Sequence, residues 1–475
     1  MTQSDQETST RLMQQHRNVV TRAAALTAVG GVLFGYDTGV VGGVLPNIAS
    51  QFNLTNPFQK GLVVAILLAG AAVGALIAGR LADQLGRRRA ILITSIVFVI
   101  GLLLSSLAPA LWVFWISRFI IGLGVGSTSF VVPLYIGEIA PPERRGALVS
   151  LNQLSVTVGI LVSQLVAYFL AGHGDWRVSV GLALLPAIIL GLGVLQEPES
   201  PAWLVRQDRE DEARTVLATM RDSEQAIDDE VEKIREVAQE ERKGSIGELL
   251  DNRLRPALIL GVSLAIIQQI TGINTVIYFA PTVLQEAGLG SSASLLALVV
   301  VGVVNVVLTL VAIRYLDRLG RRPLLIWGMV GMTAGLVALA LAFAIGIHGA
   351  GAVFATAALA FYVGAFAVSL GPIVWLLIAE IFPLRVRGQA ASIATMSNWA
   401  ANLVVAVSYL SIISAIGETG TFISYAVVTA LSLIYVVKKV PETNGLTLSQ
   451  IEAELNPSGT AAPETGKVGA ITPSG

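Results

Sequence analysis

Cysteine is absent from this chain, so no disulfide, thiol nucleophile or thiolate metal ligand is available. Charge is also scarce, at 13% of 475 residues, against about 25% in soluble domains. The deficit is uneven, and long stretches carry no charge at all. The three histidines, His16, His173 and His348, lie in a tail or in loops without metal-ligand spacing, so no metal is expected. No phosphate loop of the Gly-Lys-Ser/Thr kind is present, so no nucleotide cofactor is expected. The short alternating segments of a membrane β-barrel are missing too. Residues 1–18 are polar and lack an apolar core, so no cleavable signal peptide is expected. No catalytic constellation stands out, and no enzyme is indicated.

What is present is hydrophobicity in long blocks: 54% of residues, with mean hydropathy +0.72. A run of about 20 apolar residues spans about 30 Å of hydrocarbon as a helix. Twelve such runs are predicted. The first six are 20–44, 61–81, 89–108, 113–136, 147–171 and 177–195. The second six are 255–286, 293–317, 323–346, 352–379, 389–415 and 420–440. The fold class is therefore an all-α membrane protein. Its expected parts are a tail 1–19, a half 20–195, a helical loop 196–254, a second half 255–440 and a tail 441–475. The loop is acidic and basic with a helical period at Ile227, Val231, Ile234 and Val237, and is too short for a catalytic domain.

If both termini share one side, every Lys and Arg except Lys60, Arg177 and Arg118 falls on that side. The positive-inside rule then makes it the cytoplasmic side of a plasma membrane. Three motifs recur in order. Gly79-Arg80-Leu81-Ala82-Asp83 through Gly86-Arg87-Arg88 answers to Arg314 through Asp317 and Gly320-Arg321-Arg322. Glu138-Ile139-Ala140-Pro141 through Arg145-Gly146 answers to Glu380-Ile381-Phe382-Pro383 through Arg387-Gly388, and Pro198-Glu199-Ser200 to Pro441-Glu442-Thr443. Two parallel six-helix halves are the plan of major-facilitator transporters, with a site between them near the midplane.

Together these motifs make the chain resemble the sugar-porter family, across nearly all of 20–445. Further matching motifs are Gly35-Tyr36-Asp37-Thr38-Gly39, Arg118 with Gly122 to Gly126, and Pro198-Glu199-Ser200-Pro201. Gln268 to Asn274 and Gly371-Pro372-Ile373-Val374-Trp375 complete the set. Two positions depart from the family pattern: Ala202 stands where Arg is common, and Asn444 where Lys is common.

Only Asp37 and Arg118 are ionisable and well inside spans, which marks them as functional candidates. Asp37 lies 15 residues after Arg22, about 22 Å along a helix, in the outer half with Arg118, and the two are expected to pair. Low dielectric and a neighbouring guanidinium act in opposite senses on the carboxyl's hold on a proton, so separating the pair switches proton binding. The bland alternative is a static salt bridge. The resemblance favours coupling, because proton-driven members carry Asp here and passive facilitators commonly carry Asn.

Neutral amides in apolar helices suit a ligand with many hydroxyls and no charge. By resemblance, Gln153, Gln268, Gln269, Asn274, Asn305 and Asn398 match sugar-bonding positions, and Phe34, Tyr278, Trp375 and Trp399 match aromatic walls. Asn402 belongs to the same amide cluster, and Gly371-Pro372 suggests a bend in the tenth span. The run Gly122 to Gly126 lies inside a span and reads as close helix packing. At the cytoplasmic rim, Asp83 with Arg87, Glu138 with Arg145, Asp317 with Arg321 and Glu380 with Arg387 are expected to latch the halves in the outward-open state.

The resulting expectation is import of a monosaccharide, a glucose-like hexose favoured, with a proton by alternating access. Symport of xylose, another pentose or myo-inositol, passive uniport, and a transporter-like sugar sensor stay open beside it. The expected partners are the sugar or polyol, the proton and the lipid bilayer. No nucleic acid is expected, and one chain suffices as a monomer.

Overall fold

The computed structural model describes residues 3–455 apart from 142–144, 171–174, 222, 244–245, 287, 347–348 and 447. Among the described residues there is no strand. With no water in hydrocarbon, a spanning chain must bond its own backbone, and a charge-free run does so as a helix.

The first half comprises α1 (Gln3–Gln51), α2 (Pro57–Leu85), α3 (Arg87–Ser106), α4 (Leu111–Ile139), α5 (Arg145–Leu170) and a last span divided into α6 (Trp176–Gly181) and α7 (Leu184–Val194). Three short helices follow, α8 (Pro201–Arg206), α9 (Glu210–Ala218) and α10 (Glu224–Lys243). Trp203, Leu204, Leu217, Ile227 and Val231 form a small separate core there. The second half comprises α11 (Arg255–Ile270), α12 (Ile273–Glu286), α13 (Ser291–Leu319), α14 (Arg321–Ile345), α15 (Ala350–Ala367), α16 (Leu370–Glu380) and α17 (Leu384–Lys439), before a terminal α18 (Leu448–Leu455).

Among the described residues, eleven helical segments are long and apolar enough to span. The last, Val386–Lys439, has 54 residues and turns at Gly417, where φ is 72°. At 1.5 Å per residue it is about 81 Å long, more than two bilayer crossings. It therefore supplies the eleventh and twelfth spans without a loop, and the expected total of twelve is reached.

Besides the divided sixth span, two spans of the second half are broken rather than continuous. The seventh divides between α11 and α12 at Gly272, with φ 90°. The tenth divides between α15 and α16 at Ser369, with φ −127° and ψ −100°. Pro372 sits in the first turn of α16, where no backbone donor is lost.

The repeated Gly-Arg-Arg turns have one construction. Gly86 and Gly320 hold φ 93° and 83°, and a Cβ there would lie 2.2 Å from Glu199 Oε2 and 2.7 Å from Glu442 Oε2. Each carboxylate instead accepts the backbone N–H groups opening the next helix, from Arg87 and Arg88 at 2.8 and 3.1 Å, and from Arg321 and Arg322 at 3.0 and 3.1 Å. A helix N-terminus favours an anion there. Glu442 is held below its ordinary value: burial pushes the carboxyl up, but backbone N–H bonds from Asn444, Arg321, Arg322 and Thr443 outweigh it.

The glycine run of α4 is a packing surface. Cβ atoms on Gly122 and Gly126 would meet the carbonyl oxygens of Leu67 and Ala71 at 2.1 and 1.9 Å on α2. Between the halves, contact is tight at the end away from the arginine turns. A Cβ on Gly42 of α1 would lie 2.4 Å from the Ile277 carbonyl of α12, and one on Gly61 of α2 3.3 Å from those of Ala406 and Val407. At the arginine-rich end, Cβ atoms on Gly137 and Gly388 would meet nothing within 4 Å. The protein is therefore closed at one end.

Candidate functional site

Asp37 and Arg118 meet inside the first half. Arg118 Nη1 donates to Asp37 Oδ1 at 2.7 Å, with side chains 2% and 1% exposed. Among the described residues, Asp37 Oδ2 and Arg118 Nε have no hydrogen-bond partner. Such a pair is held only by mutual attraction, since each charge alone is poorly solvated in this interior.

Three residues earlier on α1, and so on a neighbouring face, Phe34 stacks obliquely on Trp399 of α17, with ring centroids 5.6 Å apart. One helix turn thus carries both the buried carboxyl and an aromatic contact across the halves.

The second half contributes a continuous chain of amides. Asn274 Nδ2 donates to Gln269 Oε1 at 2.7 Å, and Gln269 Nε2 donates to Asn398 Oδ1 at 3.1 Å. Asn398 Nδ2 donates to Gln268 Oε1 at 2.8 Å and to the Ala265 carbonyl at 2.9 Å. Gln268 Nε2 reaches the Leu370 carbonyl at 2.7 Å, beside the break in the tenth span. Across the other break, Tyr362 donates to the Thr271 carbonyl at 2.8 Å. Each break thus has a neighbouring carbonyl tied to a side chain of another helix.

A second rung lies one turn along: Asn402, four residues after Asn398, donates to the hydroxyl of Tyr278, four residues after Asn274, at 3.4 Å. Gln268, Gln269, Asn305, Asn398, Tyr278 and Trp399 are buried, whereas Phe34, Gln153 and Asn274 are half-buried. Trp375 is 37% exposed. Gln153 on α5 and Asn305 on α13 are not joined to the amide chain by any hydrogen bond among the described residues. The arrangement offers neutral donors and acceptors ending at the half-buried Asn274, with aromatic faces alongside, which is chemistry for an uncharged hydroxylated molecule.

At the arginine-rich rim, Arg87 forms a two-point bond to Glu138, with Nε–Oε2 2.8 Å and Nη2–Oε1 2.9 Å, and lies 3.2 Å from Asp83. Ser200 donates to Glu138 at 2.5 Å. The second half repeats this: Arg321 bonds Glu380 at 3.1 Å, and Thr443 donates to Glu380 at 2.5 Å. Arg321 also donates to Asn444 at 2.7 Å, so this departure from the family pattern is built into the rim. Arg387 donates to the Phe382 carbonyl at 3.1 Å. The side chains of Arg145 and Asp317 lie outside the described residues. Sequence reasoning overlooked Tyr362, Ser200, Thr443, Glu199 and Glu442 as bonding partners, although the repeated Pro-Glu-Ser and Pro-Glu-Thr triplets flagged the last four.

Residues 23–455 match the family model described as "Sugar (and other) transporter". A D-xylose transporter of Levilactobacillus brevis is 41% identical over 432 residues, covering 90% of this chain and 94% of the relative. The galactose-proton symporter of Escherichia coli is 39% identical over 432 residues, covering 90% and 93%. Among solved structures, the proton:xylose symporter XylE of E. coli, bound to 6-bromo-6-deoxy-D-glucose, superposes with TM-score 0.79 at 31% identity, covering 92% and 99%. The chain belongs to the sugar-transporter family of the major facilitator fold, a family of membrane carriers and not of enzymes.

Proposed function

We propose that the chain imports a monosaccharide together with a proton across the plasma membrane by alternating access. Both termini and the arginine-rich rim face the cytoplasm in this reading, which the clustering of Lys and Arg on one side supports. The conformation described above is then closed to the outside. One observation supports coupling most directly: α1 holds the dry Asp37–Arg118 pair and, three residues away, Phe34 in contact with Trp399 across the halves. Movement that brings Phe34 and Trp399 around a sugar also moves Asp37 relative to Arg118. A proton on Asp37 neutralises the carboxyl while the pair is apart. Re-forming the pair favours release of that proton, so sugar and proton travel together.

The substrate-binding set comprises Phe34, Gln153, Gln268, Gln269, Asn274, Tyr278, Asn305, Trp375, Asn398 and Trp399. The relatives that carry xylose and galactose support a monosaccharide, and a glucose-like hexose is the first candidate. Asp83, Arg87, Glu138, Arg145, Asp317, Arg321, Glu380 and Arg387 form the cytoplasmic gate, whose two rims meet when the carrier opens outward. Both halves lie in one chain, so a monomer suffices.

Uptake of labelled glucose, xylose and myo-inositol into vesicles, with and without an imposed proton gradient, tests this reading. Accumulation of one of them above equilibrium, only when the gradient is present, is expected. Equilibration indifferent to the gradient makes the protein a facilitator, and no movement of any of the three removes the substrate assignment.

A further inference from the structure

In the outer half of the seam between α5 and α13, Gln164 is 2% exposed and its Oε1 has no hydrogen-bond partner among the described residues. The oxygen is aimed at Gly302. A Cβ there would lie 2.0 Å from Gln164 Oε1, 3.2 Å from its Cδ and 3.1 Å from Leu161 Cδ1. The cleft left by the missing side chain is therefore filled by the amide of the opposite half. Gln164 stands eleven residues, three helical turns, beyond Gln153, so both occupy one face of α5 about 16 Å apart. Gly302 lies three residues, less than one turn, outward of Asn305. The contact thus continues the lining of the candidate site toward the outside, and it joins the two halves.

We propose that Gln164 and Gly302 form a gate that controls closure of the outer end of the carrier. When the halves approach, the amide enters the cleft at Gly302, and a side chain there has to displace the amide before the ends can meet. When they separate, the amide is uncovered and bonds water or the hydroxyls of an entering solute. Burying it without a partner opposes closure, so the gate biases the empty carrier outward. Lengthening the apolar part of residue 164 while deleting its amide shifts the balance about tenfold toward closure, because an unmatched buried acceptor is no longer created. This goes beyond the assignment of sugar and proton, and its test needs neither.

The absence of cysteine makes the test direct. Leu295 of α13 is 3% exposed and sits 3.6 Å from the Cβ position of Gly43 on α1, so it is covered when the outer ends are together. In the Leu295→Cys background, the rate of labelling by a membrane-impermeant maleimide applied to the outer face reports opening. Gly302→Ala is expected to raise the rate about tenfold, and adding Gln164→Ala to bring it down to the parent value or below. Gln164→Met alone is expected to slow it about tenfold. A parent-like rate in Gly302→Ala, or a rate that stays high after Gln164→Ala is added, overturns the gate. If Gly302→Ala does not yield folded protein, Gln164→Met decides: slowed labelling supports the gate and unchanged labelling overturns it.

Discussion

Replacing Arg118 with Met removes the guanidinium that lies 2.7 Å from Asp37 and leaves a 1%-exposed carboxyl without its counter-charge. Breaking one side of a buried pair costs about 3–5 kcal/mol, whereas replacing both charges by neutral groups is often close to neutral. Arg118→Met is therefore expected to be markedly less stable than the double variant Asp37→Asn, Arg118→Met. The two single changes should be non-additive by about 3 kcal/mol, the range found for residues in direct contact. Unfolding entropy of about 2.1 cal/mol/K per residue gives about 1 kcal/mol/K for a chain of this size, so the loss corresponds to about 3–5 °C in Tm. Thermal unfolding of the purified protein in detergent, run on all four members of the cycle, measures it. The reasoning is refuted if the double variant loses the sum of the two singles, because the charges would then not be stabilising one another.

Three further outcomes follow from the packing and the rim. Gly126→Ala pushes a methyl against the Ala71 carbonyl and should cost about 1–3 kcal/mol, whereas Gly137→Ala on the same helix meets open space and should be neutral or slightly stabilising in the same melt. Gln269→Leu strands Asn274 Nδ2 and Asn398 Oδ1 together, and should weaken sugar binding about 10- to 100-fold, read by quenching of tryptophan fluorescence. Glu442 and Glu197 should show opposite pH signatures when each is compared with its Gln variant in stability measurements. The Glu442 pKa is lowered from 4.5, so its stabilisation is complete above that pH and is lost as pH falls through the folded-state value. Burial raises that of Glu197 against the opposing pull of Arg22, so its contribution is greatest below 4.5 and is lost as pH rises through the folded-state value.

The spans were legible because a charge-free run of 20 residues has few fates other than a membrane helix. Breaks within spans were less so. The Gly371-Pro372 pair pointed to a bend in the tenth span, but the chain turns at Ser369, because Pro372 is accommodated inside the first turn of the next helix. The break at Gly272 was hidden within an amide motif read for its side chains, and only the positive φ reveals that the glycine also ends a helix. The boundary between the eleventh and twelfth spans was readable as the gap 416–419, and the chain turns there at Gly417, within four residues. Within the candidate site, residue types were readable, since buried amides are rare in apolar helices. Their partners were not: Asn398 bonds Gln268 across 130 positions, and Arg87 reaches Glu138 across 51. Such pairings depend on how helices pack, which local patterns do not encode.

The most direct test of the central claim compares wild type with Asp37→Asn in reconstituted vesicles, using the sugar that wild type accumulates. Two quantities are measured: accumulation driven by a proton gradient, and exchange of labelled for unlabelled sugar at equal pH. The account predicts that Asp37→Asn retains exchange and loses accumulation, because the site and the rocking of the halves survive while the proton has no carboxyl to ride on. Accumulation by Asp37→Asn at the wild-type level would contradict it and place proton coupling elsewhere in the chain.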